Sequence, residues 1–224
     1  MYITIPNLLN EKELGVITEL CSKSQFINGK LTASGAAQQV KNNEQLDRAD
    51  GNLGQINAVL ENALNQSPLL IEGTQPKSIL PFLVSRYMPG MEYGWHVDSP
   101  LMSVPPFSIR ADLSITVFLN SPSDYEGGEL EIETEAETRL FKLQKGDAII
   151  YPTTKVHRVR PVSSGMRMVA VSWIQSMVRN TEQRDLLFQL KSLQQMLEQQ
   201  QKGSQLHLIS QQVHSNLLRM LSEI

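Results

Sequence analysis

The 224-residue chain holds a single cysteine, Cys21. One thiol closes no intramolecular disulfide and builds no thiolate zinc cluster, and its place in an amphipathic stretch makes it a buried structural thiol. A basic excess is missing too. The 20 Lys and Arg against 23 Asp and Glu leave a net charge of −3, which speaks against a nucleic-acid partner. No apolar run approaches the roughly 20 residues of a membrane-spanning helix, and the longest, such as 79–84, is of strand size. The first ten residues carry neither the basic stretch nor the apolar core of a secretory signal. These absences predict a soluble, cytoplasmic protein without a membrane partner. What is present, 41% hydrophobic residues, suffices to bury a real core in one large domain or in one domain with a small appendage.

Three zones follow from composition. Residues 1–77 mix a short strand (2–5) with helix signals. Asn10 with Glu13 three residues later reads as a capping box, followed by Leu14, Ile17 and Leu20 or Cys21 at helical spacing. Residues 28–52, rich in small and polar types, read as a long surface loop, and 54–64 as a second helix with Ile56, Leu60 and Leu64 on one face. Residues 78–178 turn to β. Strands are predicted at 79–87, 112–119, 129–134, 139–143, 148–151, 156–159 and 166–175, separated by turn signals such as Pro89-Gly90 and Gly127-Gly128. Many short strands argue for an antiparallel sandwich or jelly roll. Residues 179–224 carry Leu186, Leu190, Leu193 and Leu197, then Leu206, Ile209, Val213 and Leu217, which predicts two helices broken near Gly203 and packed as a hairpin on the β-core.

Chemistry concentrates at His96-Val97-Asp98. In an extended chain alternate side chains share a face, so an imidazole and a carboxylate stand side by side as two metal ligands. His157, at the start of another predicted strand, completes a two-histidine, one-carboxylate face if that strand lies beside the first. Three ligands leave positions open, as an oxygen-activating iron site needs and a closed structural zinc site does not. Arg167 sits among Met166, Met168, Val169, Ala170 and Val171, which predicts that it projects into an interior. A turn centred on Ser163-Ser164 would pair it near Arg160, roughly 10 Å along the sheet from His157. That spacing suits a short dicarboxylate, one end on the metal and the other in a bidentate guanidinium grip.

The string Arg86-Tyr87-x-x-Gly90-x-x-Tyr93-x-x-His96-x-Asp98, followed by Gly127-Gly128-Glu129-Leu130, His157 and Arg167, resembles the Fe(II)/2-oxoglutarate-dependent dioxygenases of the prolyl 4-hydroxylase type, and among them the bacterial PKHD-type hydroxylases. The resemblance implies a double-stranded β-helix (jelly roll) core, mainly β with flanking α, with N-terminal supporting helices and a C-terminal helical hairpin. It also implies Fe(II) on His96, Asp98 and His157, and the distal carboxylate of 2-oxoglutarate on Arg167 and Tyr87. Ser114 falls at a co-substrate-contacting hydroxyl of relatives, a further family tyrosine is Phe118 here, and Trp173 is expected to wall the pocket. The implied reaction consumes O2 and 2-oxoglutarate, releases succinate and CO2 and hydroxylates a peptidyl prolyl or other residue, or a small metabolite, with L-ascorbate as an auxiliary cofactor.

Two other readings remain open on residues alone: a cupin-like metal-dependent hydrolase or isomerase, which gives Arg167 no co-substrate to hold, and a non-catalytic interaction module. The alternating Glu129, Glu131, Glu133, Glu135 and Glu137 read as a solvated sheet edge. His207 and His214, seven residues apart on one helix, are too distant to share a metal and read as packing or surface residues. Residues 99–109 read as a lid or a plain connector, Trp95 as facing away from the metal, and the C-terminal helices as a surface for homo-oligomers.

Overall fold

The computed structural model describes residues 2–33, 35–104 and 106–223. In chain order its elements are β1 (Ile3–Ile5), α1 (Glu11–Ser22), β2 (Phe26–Asn28), α2 (Gly35–Gln39), β3 (Lys41–Asn42), β4 (Glu44–Leu46), α3 (Gly51–Asn65), α4 (Pro68–Thr74), β5 (Pro76–Ile79) and β6 (Leu83–Tyr87). They continue with β7 (Glu92–His96), β8 (Leu101–Val104), β9 (Phe107–Arg110), β10 (Leu113–Phe118), β11 (Tyr125–Gly127), β12 (Leu130–Glu133), β13 (Thr138–Phe141) and β14 (Ala148–Pro152). The last are β15 (His157–Val159), β16 (Val162–Gly165), β17 (Arg167–Ser176), α5 (Thr181–Gln201) and α6 (Gln205–Leu221).

Two antiparallel sheets make a jelly roll. The larger runs β1-β14-β10-β17-β6-β4-β2, with β5 also on β17, and the smaller runs β13-β12-β15-β7-β3. Strand alternation divides the large sheet's side chains between two environments. Leu113, Ile115, Val117, Val84, Ile150 and Ala170 point outward into a core shared with the helices. Phe118, Ile149, Tyr151 and Val169 point inward and meet Leu130 and Ile132 of the small sheet. The large sheet's central strands are buried on both faces, so they read as continuous apolar runs.

Helices α1 and α3 cover the outer face with Leu14, Ile17 and Cys21, and with Leu53, Ile56, Leu60 and Leu64. The capping box is present: Asn10 Oδ1 accepts from the Lys12 and Glu13 amides, and Glu13 Oε2 accepts from the Asn10 amide. Helix α5 packs on α6 and on α4. The hairpin therefore reaches the β-core through α4, with its end tied back by Glu223, which pairs with Arg110 and Arg179. His207 is buried in this hairpin, where its Nδ1 accepts the Gly203 amide at the turn between the helices.

Four expectations change. Residues 28–52 are no surface loop: β2, β3 and β4 extend both sheets, and Lys41, Asn43, Gln45 and Leu46 are buried. Pairing to distant strands outweighs the low local apolarity there. The strand read at 79–87 is broken between β5 and β6, at a stretch containing Pro81. The glutamate row is solvated at Glu133, Glu135 and Glu137, but its strand β12 is no edge, because it lies between β13 and β15. Glu131 is buried, and Arg160 and Arg158 on and beside β15 hold its carboxylate below the usual range. Fourth, Arg167 does not pair with Arg160. Strand β16 pairs with β11, and the chain then crosses into the large sheet, where Arg167 lies opposite Tyr87. Within 99–109, β8 and β9 form a hairpin, and Pro105 lies outside the described residues.

Candidate metal and co-substrate site

His96 ends β7 and His157 opens β15, and the two are direct cross-strand partners. Pairing on the small sheet thereby joins residues remote in sequence, and extension past β7 adds Asp98 on the same face. One ligand atom from each of His96, Asp98 and His157 lies within 4.8 Å of the others. Asp98 Oδ1 is 4.0 Å from His96 Nε2, and Oδ2 is 3.9 Å from His157 Nε2.

Each ring is held from behind. His96 Nδ1 donates to the Gly94 carbonyl at 2.8 Å and His157 Nδ1 to the Lys155 carbonyl at 3.0 Å, so each ring turns its Nε2 toward Asp98. Burial, and then the neighbouring His157, push the His96 pKa down to about 4 and keep the imidazole in the form that binds a metal. Ser114 Oγ donates to Asp98 Oδ2 at 2.6 Å. The serine read from the family resemblance as a co-substrate contact thus commits its proton to the carboxylate. Gly94 permits the arrangement, since a Cβ there would stand 2.9 Å from Val40 Cβ and push away the segment leading into β3.

Arg167 comes from the opposite sheet and is 1% exposed. Its Nε and Nη1 are buried without hydrogen-bond partners. The guanidinium lies 5.1 Å from the Tyr87 ring centre and 5.7 Å from that of Phe118. Burial raises the Tyr87 pKa and keeps the phenol protonated. Gly128, at φ +68°, leaves room on the other flank, where a Cβ would come within 3.0 Å of Arg167 Cδ.

A cavity of about 370 Å³ joins the two halves, lined by His96, Asp98, His157, Arg167, Tyr87 and Trp173 among others. Trp173 thus walls the pocket as expected. Trp95 is turned outward, 40% exposed with Arg158 stacked 4.6 Å from its ring. Sequence reasoning missed Lys41 and Asn43, which also line the cavity. Their signal was weak but present: Lys41, Asn43 and Gln45 alternate as a strand does, and all three are buried.

The donor set fits an open-sided divalent metal, and the two unpartnered nitrogens of a buried guanidinium fit the far carboxylate of a dicarboxylate. The family model of the 2OG-Fe(II) oxygenase superfamily matches residues 82–175. A PKHD-type hydroxylase of Picosynechococcus is 41% identical over 224 residues, covering 100% of both chains. Another, of Psychrobacter, is 45% identical over 190 residues, or 83% of this chain and 73% of that one. Among solved structures, a Pseudomonas putida prolyl-4-hydroxylase aligns with TM-score 0.51 at 18% identity, covering 78% of this chain and 92% of that one. A Trichoplax adhaerens prolyl hydroxylase, in complex with a hypoxia inducible factor peptide, aligns with TM-score 0.55 at 16% identity, covering 83% and 86%. Both share the fold.

Proposed function

This chain belongs to the PKHD-type hydroxylases of the 2OG-Fe(II) oxygenase superfamily, and from that premise we propose that it binds Fe(II) through His96, Asp98 and His157 and 2-oxoglutarate through Arg167 and Tyr87. The observation that carries the co-substrate half is the pair of buried, unpartnered Arg167 nitrogens in the cavity of the three ligands. A buried cation without an anion is costly. A bound dicarboxylate removes that cost, and a hydrolase or isomerase of the cupin kind would leave it in place.

When bound, the metal and co-substrate would supply, with O2 as oxidant, oxidative decarboxylation to succinate and CO2, one oxygen atom going to succinate and the other into a substrate C–H bond. The chain's own residues prepare the ground. The Gly94 and Lys155 carbonyls fix both imidazoles, and Ser114 fixes Asp98, so little reorganisation remains when the metal arrives. Arg167, backed by the Tyr87 and Phe118 rings, orients the dicarboxylate. Leu130 and Val171 add apolar wall to the cavity, which keeps it poor in water.

The substrate class is a peptidyl prolyl or other residue, or a small metabolite, and ascorbate is the reductant that restores iron oxidised in uncoupled turnover. Residues 78–178 form the working core, with 1–77 as its buttress and one cavity wall and 179–224 as an extension. No described helix is long and apolar enough to cross a membrane.

The test is an anaerobic titration of metal-free protein with Fe(II) and 2-oxoglutarate, following the visible charge-transfer band of the chelate beside Arg167→Ala. A saturable band, weakened in the variant, is expected. No band from folded, metal-loaded wild-type protein would overturn the reading.

A further inference from the structure

Lys41 is 5% exposed, lines the cavity, and has its ammonium 5.2 Å from the centre of the Tyr93 ring. That ring stacks on His96 with centroids 3.6 Å apart, so the charge sits beside the metal half of the site. Of the three ammonium protons, one has an acceptor among the described residues, the Thr32 hydroxyl at 2.9 Å. Burial pulls the Lys41 pKa down to about 8, and the side chain is still cationic at neutral pH. Buried lysines are rare unless paired. Arg48, exposed at the rim of the same cavity, forms no ion pair among the described residues.

The charges do not balance. The described lining holds three cationic side chains, Lys41, Arg48 and Arg167, against one carboxylate, Asp98. A divalent metal and a dicarboxylate cancel each other, and Arg167 offsets Asp98 in the same sum. Two positive charges are left over in that sum, with Lys41 in the buried wall, where Asp98 is the anion it feels, and Arg48 at the solvated rim.

We propose that Lys41 and Arg48 form a second anion subsite, which takes a carboxylate carried by the molecule to be hydroxylated. The primary substrate is then an acid, docked on the wall built by the segment through β3 and β4. This rests on the oxygenase reading, since the inventory assumes a divalent metal and 2-oxoglutarate. The carboxylate could arrive on a small free acid or on an acidic side chain of a peptide.

The test uses whole protein loaded anaerobically with Fe(II) and 2-oxoglutarate, with melting temperature and the visible band as readouts. The probes are acetate, its neutral twin acetamide, and a doubly capped pentapeptide with a central aspartate or asparagine. Acetate is expected to raise the melting temperature and perturb the band while acetamide does neither. Lys41→Met, which keeps the apolar stem, and Arg48→Met, on the exposed rim, are each expected to weaken acetate binding about tenfold while 2-oxoglutarate affinity holds. An aspartyl peptide that outcompetes acetate, with its asparaginyl twin silent, identifies a peptide acid, and acetate binding without peptide binding identifies a small one. Equal responses to acetate and acetamide, or acetate binding that survives both substitutions, would overturn the proposal. So would a loss of 2-oxoglutarate affinity in Lys41→Met, which would assign the lysine to the co-substrate. A wild type that forms no band with 2-oxoglutarate defeats the oxygenase reading; a normal band indifferent to acetate defeats the second subsite alone.

Discussion

The two sheets treat their polar groups in opposite ways. On the small sheet every ligand atom has a companion behind it: a carbonyl for each imidazole and the Ser114 hydroxyl for Asp98. On the large sheet, Arg167 is nearly as buried as any residue of the chain and leaves two nitrogens unpartnered. The proposed metal half is thus held in place by the protein alone, whereas the proposed co-substrate half keeps a buried guanidinium with two nitrogens left for an anion. Ligand removal should consequently cost the two halves different things.

The largest effect falls on the metal half. His157→Ala is expected to abolish stoichiometric Fe(II) binding, read by anaerobic calorimetry, while the fold persists, because the site is preorganised by strand pairing and not by the ion. Retained binding would mean that the three side chains are not the ligand set.

Arg167→Met comes next and separates the halves. Affinity for 2-oxoglutarate should fall roughly 30-fold or more, the usual penalty for losing one partner of a buried charged pair, with Fe(II) affinity unchanged. The same variant should melt no lower than wild type without ligand, since it deletes an unpaired buried cation. In the wild type, 2-oxoglutarate at about 100 times its dissociation constant should add about 2.7 kcal/mol, or roughly 5–10 °C in melting temperature. Arg167→Met should lose most of that gain. A variant that melts several degrees lower without ligand would show the guanidinium to be structural.

Smaller changes probe the bracing. Ser114→Ala is expected to weaken metal binding about tenfold, the lower end for loss of a hydrogen bond behind a ligand, and no change would mean that Asp98 is oriented by its backbone alone. The acid side of the stability profile tests His96. Its folded pKa of about 4 lies below the ordinary value near 6.5, so the unfolded chain takes up the proton first. Metal-free protein should therefore lose stability as pH falls from about 6.5 toward about 4, and His96→Gln should flatten that stretch of the melting curve against pH.

The fold was legible wherever local pattern and tertiary environment agree. The capping box at Asn10 and Glu13, the spacing of Ile56, Leu60 and Leu64, and the break near Gly203 are local physics, and each appears where the pattern puts it. Residues 28–52 misled because β3 and β4 are short strands stabilised by partners far along the chain, and their buried members Lys41, Asn43 and Gln45 are polar. Glu131 misled for a related reason: its two arginine partners stand on or next to a neighbouring strand, out of reach of any reading along β12.

The sequence by itself determined that His96 and Asp98 share a face, because strand alternation is a property of the backbone. It also pointed Arg167 toward an interior, because Met166, Met168, Val169, Ala170 and Val171 around it mark a strand of the core. Tertiary structure alone decided that His157 stands opposite His96, that Arg167 faces both from the other sheet beside Tyr87, and that Lys41 joins them. These are matters of register between distant strands. Register is set by which pairing buries the inner faces of both sheets together, a condition that no local stretch of the chain can satisfy alone.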